Sequence, residues 1–229
     1  MYNKKRNLLF ISFGLLLLIG AVTAHNKNAQ TTGAGTGKIV LIDPGHGGND
    51  PGKVGVNDAL EKDINLEISR LLSAYLRANG YTVVMSRTTD CTLAAPDAAN
   101  KKTADLNARI ALMEQSQADF VISIHQNSYP DGSVHGAQCF YYQGSEEGQR
   151  LATRLQNALV KLVEPDNHRV AKANDSYYIM KNSICPVVII ECGFLSNYEE
   201  AQLLCDENYQ KKLAFAITSG VNDYLNSLH

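Results

Sequence analysis

Three near-continuous apolar runs, Ile39-Val-Leu-Ile42, Phe120-Val-Ile-Ser-Ile124 and Val187-Val-Ile-Ile190, most constrain what this chain can become. Each is too short for a stable helix and lacks the strict polar alternation of a strand with one wet face, so each reads as a strand buried on both sides. Between them lie segments with helical apolar spacing, at about 60–79, 103–117, 146–162, 198–204 and 207–225. Asn79-Gly80 is a stop signal for the first of these. Further strands are expected at 82–86 and 137–142, with a short extended piece near 177–180. Strands alternating with helices predict a single α/β domain: an open, mostly parallel twisted sheet of about six strands with helices on both faces.

That domain occupies 38–229, because what precedes it has a different character. Lys4, Lys5 and Arg6 lead an apolar run from Leu8 to about Val22, and Val22-Thr23-Ala24 offers small residues for cleavage. Residues 1–24 are therefore expected to be a signal peptide or an N-terminal membrane anchor that contacts the membrane, with the rest exported. Residues 25–37, polar and rich in Gly and Thr, are expected to be a flexible linker. Gly33-Ala-Gly-Thr-Gly-Lys38 is followed by Ile39 and a strand, whereas a phosphate-binding loop needs Ser or Thr there and a helix. A net charge of −2 with no basic cluster in the exported part argues against nucleic acid as a partner. The five cysteines have no Cys-x-x-Cys spacing and leave one unpaired, so most are expected to be small buried residues rather than a disulfide framework.

Ligands of open α/β sheets bind beyond the carboxyl ends of the strands. There the sequence places Asp43-Pro-Gly-His46, Ser123-Ile-His125-Gln-Asn127 and Glu191-Cys-Gly193, with Glu61 at the start of the first helix on the same rim. Two histidines and a carboxylate form the ligand set of a hydrolytic zinc site that keeps one position for water. A further acid must take the proton from that water, and Glu191, flanked by apolar residues that raise its pKa, is the candidate. Gly45, Gly47 and Gly48 are expected to adopt unusual backbone angles and to keep bulk away from His46. Asp43 is expected to accept a hydrogen bond behind the ligands.

Taken together, Ile42-Asp-Pro-Gly-His-Gly-Gly48, Leu60-Glu-Lys-Asp63, Ser123-Ile-His-Gln-Asn-Ser128 and Glu191-Cys-Gly-Phe-Leu-Ser-Asn197 resemble the zinc-dependent N-acetylmuramoyl-L-alanine amidases. The resemblance spans about residues 38–224 and departs only at Gln126 and Cys192. It implies peptidoglycan as substrate, one zinc ion held by His46, Glu61 and His125, and Glu191 as the catalytic glutamate. Arg87 and Arg109 also match family positions. Arg109 is expected to be structural or substrate-orienting, and Asn127 to touch substrate. The short loop from Ser128 to Gly136 lacks the long insertion that blocks the site in some members. The compact layout is similar to the sporulation and germination amidases, which help to form the muramic δ-lactam of the spore cortex. A regulatory protein partner is compatible with it.

Other residues of the same types are expected to be structural or solvated: His25, His135, His168 and His229 as tether, loop, irregular segment and terminus, Asp63 and Glu67 as a solvated helix face, Cys192 as packing. The competing functions are a zinc carboxypeptidase or peptidase with the same metal chemistry, and a wall-binding protein without turnover.

Overall fold

A computed structural model of the chain describes residues 35–228. The expected signal or anchor segment and the linker up to residue 34 lie outside the described residues. Among the described residues, no helix is long and apolar enough to cross a membrane.

Six strands form one sheet: β1 (Ile39–Pro44), β2 (Thr82–Met85), β3 (Phe120–Asn127), β4 (Gln138–Tyr142), β5 (Lys172–Asn174) and β6 (Val187–Phe194), in the order β2-β1-β3-β6-β4-β5. The pairs β1–β2, β1–β3, β3–β6 and β4–β5 are parallel, and β4 runs antiparallel to β6. The three apolar runs are the adjacent central strands β1, β3 and β6, which explains why none of them alternates. The helices are α1 (Glu61–Ala78), α2 (Lys101–Gln115), α3 (Glu146–Leu162), α4 (Tyr178–Lys181), α5 (Tyr198–Leu204) and α6 (Glu207–Asn226).

The two faces of the sheet are covered unequally. On one, Val40, Ile42, Ile122, Ile124, Val188 and Ile190 pack under Ile68 and Leu72 of α1, Leu151 and Leu155 of α3, and Leu213 and Ile217 of α6. Each such side chain contributes roughly 1.5–3 kcal/mol by leaving water. Gly220 lets α6 lie directly on α3, since a Cβ there would stand 2.9 Å from the Leu155 backbone. On the other face, Leu41, Val121, Val187 and Ile189 pack with Phe140 of β4 under Met113 of α2, Ala118, and Ile179 and Met180 of α4, with a few half-buried neighbours. This thinner layer leaves the carboxyl ends of the central strands open for polar residues.

Two local expectations are corrected. The segment near 177–180 is a helical turn, and the edge strand lies earlier, at Lys172–Asn174. The Asn174 carboxamide oxygen, which accepts from the Ser176 and Tyr177 backbone N–H at 2.8 and 3.2 Å, turns the chain between them. Of the five free cysteines only Cys139 and Cys192 are buried, while Cys91 and Cys185 are partly covered and Cys205 is exposed. A smaller shift is that α2 begins at Lys101, because Asn100 accepts from the Thr103 backbone N–H at 3.1 Å and caps it.

Candidate metal centre and catalytic site

Strand register assembles the site. β1 and β3 pair Asp43 with Ser123, and β3 and β6 pair His125 with Glu191. By alternation, all four side chains project from the thinly covered face. A bulge between His125 and Asn127 then shifts the end of β3 relative to β6.

Past Pro44 the chain turns sharply, and His46 itself sits at φ 60°, followed by Gly47 at 135° and Gly48 at 58°. A left-handed histidine costs on the order of 1 kcal/mol and needs external support. Two buried arginines supply it. Arg109 donates to the Pro44 and His46 carbonyls at 2.8 and 2.7 Å, and Arg87 donates to the Pro44 and Gly45 carbonyls at 3.0 and 2.9 Å. Gly45 has no unusual angle. It is required for space, since a Cβ there would fall 2.2 Å from the His125 ring. Gly52 has the same role on the other side, where a Cβ would lie 2.5 Å from Glu61 Oε2 and 2.7 Å from the His46 ring.

These close approaches bring three ligand groups together. Glu61 Oε1 lies 3.2 Å from His46 Nε2 and 3.0 Å from His125 Nδ1, and one donor atom from each residue falls within 4.8 Å of the others. Adjacent ligand atoms of a tetrahedral ion bound at about 2.0–2.1 Å stand roughly 3.3 Å apart, so the donor set fits a zinc-sized cation in number, chemistry and spacing. The two histidine side chains are 24% and 23% exposed and Glu61 is 5% exposed, which leaves one side of the cluster wet. Behind it, Asp50 Oδ2 lies 2.9 Å from His46 Nδ1 and turns Nε2 toward Glu61. Glu61 Oε2 accepts from the Lys53 N–H at 2.7 Å, and Oε1 accepts from the Gln126 N–H at 3.1 Å. Burial opposes a charge on His46, but the hydrogen bond and charge of Glu61, then those of Asp50, outweigh it and raise its pKa to about 9. Burial likewise opposes a charged Glu61, yet its two histidines hold the carboxyl well below the usual range. A buried carboxylate held charged between two imidazoles is a strong cation site.

Glu191, 7% exposed, lies beside this cluster. Desolvation raises its pKa; the positive field of His125 opposes that and the negative charge of Glu61 reinforces it. Its Oε1 accepts from the Tyr177 hydroxyl at 3.2 Å. Its Oε2 is buried without a hydrogen-bond partner among the described residues. A buried carboxylate with one anchored and one open oxygen, and a raised pKa, is equipped as a general base.

The remaining expected residues fall elsewhere. Asp43 does not reach a ligand histidine: its carboxylate accepts from Arg109 at 2.5 Å, Ser86 at 2.6 Å and Ser123 at 2.9 Å, and Asp50 holds the histidine instead. Arg109 is 2% exposed, bound also to Asp105 at 2.6 Å. Asn127 is half-buried at the end of β3, where its side-chain oxygen accepts from the Ser128 N–H at 2.7 Å. His135 is exposed, bonded within its own loop to the Ser133 carbonyl at 3.0 Å, and outside the cluster. Asp63 and Glu67 are exposed, and Cys192 is buried on the opposite face with its thiol pushed up by burial. Sequence reasoning missed Asp50, Gly52 and Tyr177. Asp50 stands four residues from His46 in a glycine-rich loop, a spacing that could have pointed to it in place of Asp43; Tyr177 carried no such signal, because only the β5–α4 turn brings it to Glu191.

The family model described as N-acetylmuramoyl-L-alanine amidase matches residues 40–223. The germination-specific N-acetylmuramoyl-L-alanine amidase of Bacillus subtilis is 40% identical, over 82% of this chain and 80% of its own length. The CwlD amidase of Clostridioides difficile, solved in complex with the GerS lipoprotein, superposes with a TM-score of 0.81 at 36% identity, covering 83% of this chain and 99% of that one. An N-acetylmuramoyl-L-alanine amidase from Clostridium difficile superposes with a TM-score of 0.74 at 34% identity, covering 83% and 97%. A family match over residues 40–223, nearly all of the described domain, together with a relative 40% identical over 80% of its own length, makes this chain a member of the N-acetylmuramoyl-L-alanine amidase family.

Proposed function

We propose that the chain is a zinc amidase that cuts the bond between the lactyl group of N-acetylmuramic acid and the L-alanine of the stem peptide, outside the cytoplasmic membrane. The observation that carries this is the His46–Glu61–His125 cluster with the unpartnered Glu191 oxygen beside it. His46, Glu61 and His125 would hold the zinc ion, which would supply Lewis acidity to lower the pKa of a water and polarise the scissile carbonyl. Glu191 Oε2 accepts the proton of the attacking water and returns it to the alanine nitrogen as that amine leaves. Tyr177 keeps Oε1 engaged so that Oε2 faces the reaction. Arg109 and Arg87 act from behind by fixing the carbonyls of residues 44–46, and Arg109 does so without touching substrate. In this reading Asn127, half-buried at the end of β3, contacts the substrate.

Purified peptidoglycan incubated with the zinc-loaded domain should release intact stem peptides with free alanine amino termini, and a chelator should stop the release. Shortened stems in place of intact ones would mean a carboxypeptidase. A role in the spore cortex is supported by the name of the Bacillus subtilis relative, and a lipoprotein partner by the complex of the Clostridioides difficile one. Deletion in the native organism should then leave cortex without muramic δ-lactam.

A further inference from the structure

A cavity of about 450 Å³ opens between the loop after Gly52 and the loop after Asn127, lined by Lys53, Val54, Val56, Ser128, Tyr129 and Ser196 among others. Both walls continue directly from the metal centre. Lys53 follows Gly52 and donates its backbone N–H to Glu61, and Ser128 follows Asn127 at the end of β3. Neither wall is loose. Val54 bridges Leu60, the Gly55 N–H donates to Ala59 at 2.8 Å, the Val56 N–H to Leu195 at 3.0 Å, and the Tyr129 N–H to Ser196 Oγ at 2.9 Å. Against this fixed backbone, Val54, Val56 and Tyr129 stay 47%, 56% and 55% exposed. Apolar side chains held outward around one cleft mark a binding surface rather than scattered surface residues. Lys53 is exposed at the same cleft, and the lysines that form ion pairs among the described residues are Lys38, Lys62 and Lys211.

A sugar ring needs a dense set of polar side chains around its hydroxyls. This cleft offers instead two valines, one tyrosine, two serine hydroxyls and an ammonium, which match small apolar side chains interspersed with carboxylates. We propose that the cleft is the subsite for the acidic stem peptide on the leaving side of the scissile amide, with Lys53 recognising a carboxylate and Val54, Val56 and Tyr129 covering the apolar portion. This rests on the amidase reading and assigns the peptide side of its substrate.

The test separates the two. In the Glu191→Gln background, calorimetry compares muramoyl-L-alanyl-D-glutamate with the same compound whose glutamyl carboxylates are amidated. The acid should bind about tenfold more tightly, a charge-assisted contact being worth about that much. Adding Lys53→Met should remove the preference, and adding Tyr129→Ser should weaken both compounds while preserving it. No preference in the parent, or one that survives Lys53→Met, overturns the subsite. Cleavage of the acid compound by the zinc-loaded chain with Glu191 intact is assayed separately, and its failure would count against the amidase reading itself.

Discussion

At the level of single residues, the site depends on atoms that are missing as much as on those present. His125 can approach His46 to a ring separation of 5.1 Å only because residue 45 has no Cβ. Gly45→Ala, at an ordinary backbone angle, should therefore leave the fold intact but push the His125 ring aside and weaken zinc affinity by about 10- to 100-fold, the range seen when a ligand loses its support. Zinc titration with a competing chelator measures it, and unchanged affinity would refute the close-packing role. Tyr177 acts from the other side. Tyr177→Phe removes one hydrogen bond to Glu191, worth about 1 kcal/mol or somewhat more, and should lower kcat by about 5- to 20-fold with KM and zinc content unchanged. A change confined to KM would place Tyr177 on the substrate instead. The His46–Glu61–His125 cluster was legible in the sequence because histidines at strand ends and a glutamate opening a helix on the same rim carry their chemistry in their identity. Tyr177 and Gly52 were not, since a tyrosine in a turn or a glycine in a loop gains its meaning only from the neighbour it meets.

Among elements, the central strands and long helices were readable from apolar spacing, while β5 and α4 were not: three and four residues respectively are too few to show a period, and Lys172–Asn174 is an exposed edge. The packing of α5 onto the end of β6 also escaped the sequence, and it has a consequence for stability. Glu200, near the start of α5, accepts from the Gly136 and Phe194 backbone N–H at 3.0 and 2.8 Å, tying α5 to the loop before β4 and to the end of β6. Glu164, which accepts from the Tyr209 hydroxyl at 2.6 Å, lies close by. Burial is the main cause that lifts the Glu200 pKa to about 7; the two backbone donors pull it down and the Glu164 charge pushes it further up. Because an acid whose folded pKa lies above its unfolded value disfavours the charged form, its cost to stability is absent below about pH 4.5 and grows until about pH 7. The metal-free chain should lose on the order of 3 kcal/mol from this group across that window. Denaturant midpoints at pH 5 and pH 8 with chelator present read the slope. Glu164→Gln should reduce the slope without abolishing it, as burial remains; an unchanged slope would show that the two carboxyls do not interact.

The molecule as a whole is held at its catalytic edge by one buried ion pair. Asp43 and Arg109 are 1% and 2% exposed and 2.5 Å apart. Around them, Ser86 after β2, Ser123 in β3 and Asp105 in α2 complete the hydrogen bonds, so that four elements meet at two side chains. From the sequence Arg109 could equally have pointed to substrate, because an arginine on a poorly amphipathic helix does not reveal which way it faces. Breaking such a pair by removing one partner strands a buried charge, and Arg109→Met should cost about 3–5 kcal/mol and, by releasing the His46 carbonyl, weaken zinc binding as well. Asp43→Asn alone should cost less, since the buried guanidinium keeps a second carboxylate, Asp105 at 2.6 Å, and the new amide oxygen can still accept from it. If the pair is the tie that joins sheet and loop, the double variant should be more stable than Arg109→Met alone, with a coupling energy above about 2 kcal/mol in a double-mutant cycle. Zinc affinity should nevertheless stay low in the double variant, because neutralising Asp43 restores the charge balance but gives the left-handed His46 backbone no donor. Strict additivity in stability, or recovery of zinc affinity together with stability, would break the link drawn between the buried pair and the metal loop.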